Sequence, residues 1–553
     1  MIKYTFLRFV KKLKHEKYLL FSIFIVLCTL LLFINVGTYG VVESSDARYA
    51  EISREMLESG DYIHPTLLNI QHYHKPPLTY QLTALGYQIF GVNELGARFF
   101  LQLSLLIQLL LVYALSNILF GNRGTALWAA IIYFSFPLTL ISTRNLTTDS
   151  FLATFVLLSI YSWVKYRKYG KFRYLYLTAI SLALGFYTKG PVVLLLPLVF
   201  IIAYNRIEKS KNRFGVHHLL SLVVFLGISL WWFVFLIREN GAFADYFLGR
   251  QTVERFGKDV FNRSEPFWYF VAFAPLVGLP WLLILPYLMV QNRKSILKKG
   301  INSVLTLSFL IPLVFFSIST SKRILYILPF YSILAMLTAN LLANLISSKE
   351  KVIDRSVTIF SMIVLLVATA TMFIHTNYVI PKGVGIASIL LIVVILAIYR
   401  YLQGGRKFKP VLVSFLVSGF LLITSGLLMQ KNELEFNISR PISNFIKSKN
   451  LQDRNILIYN TMKPSIAFDM RKPVISLYDG SNTLAREVQF EENSAWKSYF
   501  YDLTDSIDTN RLKGLMERPS VLVSYKHPLP ENRQWLAKRF STRKDIGKWH
   551  IYY

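Results

Sequence analysis

Runs of about 15–24 apolar residues recur between positions 18 and 429, each long enough or nearly so to cross the hydrocarbon core of a bilayer as a helix. They lie near residues 18–36, 96–119, 124–141, 149–164, 174–188, 190–205 and 216–237. Six more follow near 267–290, 302–318, 324–346, 355–375, 382–399 and 410–429, a total of about thirteen. Of the 553 residues, 54% are hydrophobic and the mean hydropathy is +0.42, beyond the about 45–50% apolar content of a soluble domain. Such a chain needs lipid as its main solvent, so the expected class is an α-helical polytopic membrane protein.

The formal charge of +30 would suit a nucleic-acid partner if it formed one patch, but its placement is topological. Lys and Arg are retained on the cytoplasmic side during insertion. The basic leader Lys3, Arg8, Lys11, Lys12, Lys14 and Lys17 therefore puts the N-terminus inside as a retained anchor, and alternate loops then fall at Lys165–Arg173, Arg206–Arg213, Arg293–Lys299, Lys349–Arg355 and Arg400–Lys409. Each is dense in Lys or Arg. Hydropathy and charge agree on one topology, and an odd number of spans leaves the C-terminus outside. No nucleic-acid partner is expected. The single cysteine, Cys28, excludes an intramolecular disulfide and any cysteine-based metal site.

Two outward regions follow. Residues 1–430 form the membrane domain, whose first outer loop, 37–94, is much the longest before the tail and so a candidate for function. Residues 431–553 carry strand-like runs at Ile456–Tyr459, Val474–Tyr478, Val521–Tyr525 and His550–Tyr553 between helix-like stretches, the pattern of a small α/β domain serving as a structural cap or an acceptor-docking module. Early in the first loop, Ser45 is a plausible helix N-cap, and Tyr49, Ile52, Met56 and Leu57 form an apolar stripe, as for a helix lying along the membrane surface.

Asp46 falls in the first turn of that helix, where the dipole favours its ionised form; it either caps the helix or serves as a base. In HYHKPPLTYQL, Lys75 precedes two prolines and a helix starting at Pro77, a place for a phosphate or for a lysine reaching lipid headgroups. Arg144, Asn145, Asp149, Lys189, Arg255, Lys322 and Arg323 stand at other outer helix ends. Charges at such depth are costly unless paired or useful, and several basic groups converging with two acids suit a phosphorylated, lipidic substrate. His64, His72 and His74 are metal-ligand types, but the HxH pair lacks a clear third ligand, so no metal is assigned beyond His74 as a candidate, and a divalent ion is optional rather than required.

The ordered set SSDARYAEISREMLESGDYIHPTL, HYHKPPLTYQLTALGYQIFGVNELGARF, NLTTDSF, TKGP, ERF…PFWYF, GLPW and LYILP resembles the bacterial aminoarabinose (4-amino-4-deoxy-L-arabinose) lipid A transferase family, which is related to protein O-mannosyltransferases of the GT-C superfamily. The resemblance spans most of the chain. It implies a GT-C fold and transfer of a sugar, with inversion, from a polyprenyl-phosphate donor to lipid A or another glycan, lipid or protein acceptor at the periplasmic face of the bacterial inner membrane. It makes Asp46 and Asp149 the catalytic acids, Lys75 and Arg255 the donor-phosphate ligands, and Lys189 and Tyr326 further cavity residues, with Glu43, Arg48 and Arg263 as neighbouring candidates. The chain departs from the family at Ala47, where a second acid is common, and at His74, where Glu is common. A flippase or transporter would show duplicated halves or paired broken helices, and the sequence shows neither.

Overall fold

The computed structural model describes residues 17–207, 214–247, 249, 264–374, 377–402, 405 and 407–553. All thirteen apolar segments are helical. Seven helices are long and apolar enough to cross a membrane: Glu94–Phe120, Val216–Glu239, Ile301–Ile318, Ile324–Ala343, Ser347–Ala370, Lys382–Tyr401 and Phe408–Lys431. Two further candidates are broken, Arg123–Ser135 with Pro137–Arg144 bent by 59° and Tyr269–Val277 with Trp281–Gln291 bent by 104°. A proline opens or immediately precedes the second half of each pair, where its missing N–H and fixed φ interrupt the ladder. Up to nine spans among the described residues thus meet the criterion of length and composition, against the about thirteen expected. The difference lies in short apolar helices such as Leu19–Phe33 and in Thr148–Tyr169 and Phe172–Lys189, which mix polar residues into their length.

Those two helices pack in the bundle interior, where polar side chains find partners. Gln108 donates to Ser150 O and Thr154 Oγ1, each at 2.8 Å, and accepts from the Tyr133 hydroxyl, a buried network joining three helices.

The loop helix Ser45–Ser59 is buried along most of its length, Asp46, Glu51, Arg54 and Glu55 included. It does not lie free on a membrane surface: its apolar side meets the helix Leu78–Phe90, and the C-terminal helix Pro464–Met470 covers it from the other side. Its buried charges are accordingly paired, Arg54 with Glu51 at 2.6 Å, while Glu55 accepts from Thr66 Oγ1 at 2.6 Å and thereby holds the hairpin of β1 (Thr66–Leu67) and β2 (Ile70–Gln71).

The C-terminal region forms a six-stranded sheet from β3 (Asn455–Tyr459), β4 (Ile475–Tyr478), β5 (Phe500–Asp502), β6 (Ser520–Tyr525), β7 (Arg543–Ile546) and β8 (Trp549–Tyr552), ordered β5-β4-β3-β6-β8-β7. The four central strands match the expected runs. The two edges, three residues of FYD and the charged RKDI, carry too weak a pattern to be recognised. The sheet domain docks tightly on the first loop: Val42 bridges to Ile438, and a Cβ on Gly40 would stand 2.6 Å from Ile438 Cγ2, so only glycine admits this approach. Arg440 pairs with Glu433 and with Glu94 at 3.2 Å, tying the last span, the first loop and the domain together.

Candidate active site

Where the first loop meets the helix bundle, two cavities share a wall. One, of about 130 Å³, is polar; the other, of about 410 Å³, is mostly apolar and runs along Pro191–Leu196, Phe315 and Phe330. His74, Lys75, Lys189 and Tyr326 line both.

Local sequence places each group. Pro76 and Pro77 hold the chain out of helix before Leu78–Phe90 begins, which leaves Lys75 at the junction of the two cavities. Asp149 sits in the first turn of Thr148–Tyr169, whose N-cap Thr147 accepts from its backbone N–H. Lys189 ends the next helix and forms an ion pair with Asp149, both side chains 9% exposed, while its ammonium lies 4.6 Å from the Tyr326 ring centre. Arg48, Arg323 and, from the C-terminal domain, Arg486 complete the polar cavity. Five basic side chains thus face one acid, Asp149, among its described residues. That balance favours an anionic ligand head, and the apolar neighbour favours a long hydrocarbon tail.

Asp46 is placed elsewhere. Its carboxylate is 1% exposed, pairs with Arg98 and accepts from Val42 N at 3.0 Å and Leu146 N at 2.9 Å. Arg98, fully buried, also donates to the carbonyls of Val36, Tyr39 and Gly40. Asp46 does not line the two cavities, and both of its oxygens fasten the start of the first loop to the bundle. Glu43 likewise lies outside both cavities and accepts from Ser465 Oγ and, at 3.2 Å, from Ser465 N. Arg144 satisfies the carbonyls of Leu32 and Ile34, and Lys322 donates to Glu265 O; neither lines the two cavities. Arg255 and Arg263 lie outside the described residues.

The histidine pair acquires the third ligand that the sequence did not offer. Glu487, from the C-terminal domain, lies 2.7 Å from His72 Nδ1 and 3.2 Å from His74 Nε2, and ligating atoms of all three fall within 4.8 Å of one another. His74 Nδ1 meets the Tyr246 hydroxyl, whereas Nε2 makes no well-aligned hydrogen bond despite its burial. Burial pushes His72 down to about 3 and lowers His74. Burial also opposes the charge of Glu487, yet the adjoining imidazoles hold its carboxyl well below the usual range. One arrangement accounts for these directions: an ionised carboxylate between two neutral imidazoles, a donor set suited to a divalent ion. Glu487 is 413 positions from His74, so no spacing rule reaches it.

Helical bundle, long first outer loop and capping sheet domain together make this a polytopic membrane protein of the GT-C fold. Residues 74–232 match the dolichyl-phosphate-mannose-protein mannosyltransferase family. The chain is 33% identical over 301 residues to an undecaprenyl phosphate-alpha-4-amino-4-deoxy-L-arabinose arabinosyl transferase 2 of Proteus mirabilis, covering 54% of each chain. It is 30% identical over 339 residues to the like-named protein of Pseudomonas fluorescens, 61% of this chain and 58% of that one. The chain is thus similar to these aminoarabinosyl transferases, and it spans little more than half the length of the curated relatives it matches. A crystal structure of ArnT from Cupriavidus metallidurans bound to undecaprenyl phosphate superposes with a TM-score of 0.77 at 20% identity, over 96% of this chain and 97% of that one, which establishes the common fold.

Proposed function

We propose that this protein transfers a sugar, aminoarabinose or a related residue, from a polyprenyl-phosphate donor to lipid A or another envelope acceptor at the periplasmic face of the bacterial inner membrane. The observation that carries the proposal is the pair of joined cavities, basic and apolar, meeting at Lys75. A polyprenyl phosphate has that same division of head and tail.

In this reaction the bond between the anomeric carbon and the phosphate oxygen breaks, its electron pair leaves with the polyprenyl phosphate, and the acceptor oxygen forms the new bond on the opposite face. Lys75, with Arg48 and Arg323, stabilises the phosphate as negative charge accumulates on it. Asp149, held by Lys189, contacts the sugar or takes the proton of a hydroxyl acceptor; an ionised phosphate acceptor needs no base. A protein acceptor, as in the mannosyltransferases matched over residues 74–232, is the second reading. Mass spectrometry of lipid A and of envelope glycoproteins from a deletion strain tests both. Loss of one sugar substituent from lipid A supports the first reading and loss from protein the second; unchanged envelopes under conditions that express the gene oppose both.

The same proposal assigns His72, His74 and Glu487 as holders of a divalent ion, zinc by donor type, which would fasten the C-terminal domain beside the site and add positive charge there. Purified protein is expected to carry about one zinc per chain by elemental analysis, with most of it lost in Glu487→Ala. Metal content equal in the wild type and in Glu487→Ala would refute the assignment.

A further inference from the structure

Of the five basic side chains around the polar cavity, four have parts in the proposed transfer: Lys75, Arg48 and Arg323 meet the donor phosphate, and Lys189 holds Asp149. Arg486 has none, and among the described lining it is the side chain that the C-terminal domain supplies. It stands on the short helix Asn482–Glu487, which follows β4. Leu484, fully buried, clusters with Ile70 of the first-loop hairpin and Phe500 of β5, and so seats this helix against the first loop. Glu487, itself buried, then fixes the guanidinium: Arg486 Nη2 donates to Glu487 Oε1 at 3.2 Å, while Oε2 of the same carboxylate lies 2.7 Å from His72 Nδ1. The Arg486 side chain is nevertheless 30% exposed, against 9% for Asp149 and Lys189, which puts it at the mouth of the cavity.

Charge and geometry together say what it meets. Among the described residues, five cations stand against Asp149, Glu487 and, once the donor is bound, the single charge of its phosphodiester, so two positive charges stay unmatched. A phosphate monoester carries about −1.5 to −2 at neutral pH, and a guanidinium fork matches its oxygens. A protein hydroxyl is neutral and leaves the excess in place. Displacement at the anomeric carbon also brings the acceptor to the sugar face opposite the departing phosphate, away from the junction at Lys75. Arg486 meets that requirement, since it lines the polar cavity without lining the apolar one.

We infer that Arg486 is a specificity-determining ligand for a phosphate monoester on the acceptor, so that the C-terminal domain completes the acceptor half of the active site as well as covering it. The inference rests on the transfer reading and commits it to a phosphorylated glycolipid as acceptor. Loss of the guanidinium is then felt in KM for the acceptor more than in kcat.

The test measures, by native mass spectrometry, the binding of lipid A and of its dephosphorylated form to the full chain in phosphatidylcholine nanodiscs that also hold undecaprenyl phosphate, which keeps the donor place filled. Wild type is expected to bind lipid A at least about tenfold more tightly than the dephosphorylated form, the worth of a hydrogen bond between charged groups. Arg486→Ala should lose most of that preference, and Arg486→Lys, which keeps the charge but not the fork, should regain part of it. Affinity for undecaprenyl phosphate should stay within about twofold, as for a separate site. Arg543→Ala, the same charge lost from edge strand β7, should alter neither. No preference in wild type, or an unchanged one in Arg486→Ala, overturns the inference. So does a parallel loss of undecaprenyl phosphate binding, which would make Arg486 a donor ligand, or an equal loss in Arg543→Ala, which would make it one surface charge among many. Phosphate-selective binding that depends on Arg486 without any sugar transfer would support Arg486 as the phosphate ligand and refute the transfer reading.

Discussion

Asp149→Asn is expected to slow sugar transfer by at least a hundredfold per folded molecule, a loss larger than the accompanying fall in melting temperature from leaving Lys189 without its partner accounts for. Asp149 is the one acid among the described lining of the polar cavity, it stands in the first turn of its helix, and Lys189 fixes it from the neighbouring helix. Asparagine preserves shape but can neither take a proton nor hold a cationic group, and loss of a positioned acid–base group costs about 10²–10⁴ in rate. Single-turnover transfer with saturating donor isolates the chemical step. Binding of undecaprenyl phosphate, measured in parallel, should persist, because the phosphate is assigned to Lys75 and the guanidinium groups. A rate within fivefold of wild type would remove Asp149 from the reaction.

Asp46→Asn should act through stability. Arg98 is fully buried, and among the described residues Asp46 is the carboxylate in ion-pair contact with it. Breaking a buried pair from one side costs about 3–5 kcal/mol, far more than the pair itself contributes, because the remaining charge is left uncompensated. The expected result is a marked fall in yield and melting temperature with a proportionate loss of activity. Arg98→Met added to Asp46→Asn should recover part of the lost stability, since neither charge then remains. Should Asp46→Asn instead retain the wild-type melting temperature and abolish transfer, Asp46 would touch the substrate, as the family resemblance implied.

These two carboxylates show what was legible in the sequence. Helix positions, the strands of the central sheet and the Lys75-Pro-Pro junction were readable because each follows from local rules: apolar length, alternation and proline geometry. Asp149 and Lys189 were recognisable as costly charges at helix ends. The pairing of Asp46 with Arg98 was not, since it depends on which of several acids the buried arginine meets; the usable signal was an arginine four residues into a long apolar helix, which requires a partner. Glu487 and Arg486 were beyond reach because they arrive from the C-terminal domain, whose docking is set by the match of Gly40 and Val42 to Ile438 rather than by any motif. The count of spans differs for a local reason. The expected thirteen segments counted every apolar run, whereas Leu19–Phe33 and Pro191–Ile207 are short and Thr148–Tyr169 and Phe172–Lys189 carry polar residues that find partners inside the bundle.

The most direct test of a polyprenyl-phosphate sugar transferase built around Lys75 and Asp149 is reconstitution of the purified chain in proteoliposomes with undecaprenyl-phosphate aminoarabinose and lipid A, followed by mass spectrometry of both lipids. The expected result is lipid A heavier by one sugar residue with matching release of undecaprenyl phosphate, abolished in Lys75→Ala and Asp149→Asn. Donor that crosses the bilayer intact, or product formed equally by both variants, would contradict it.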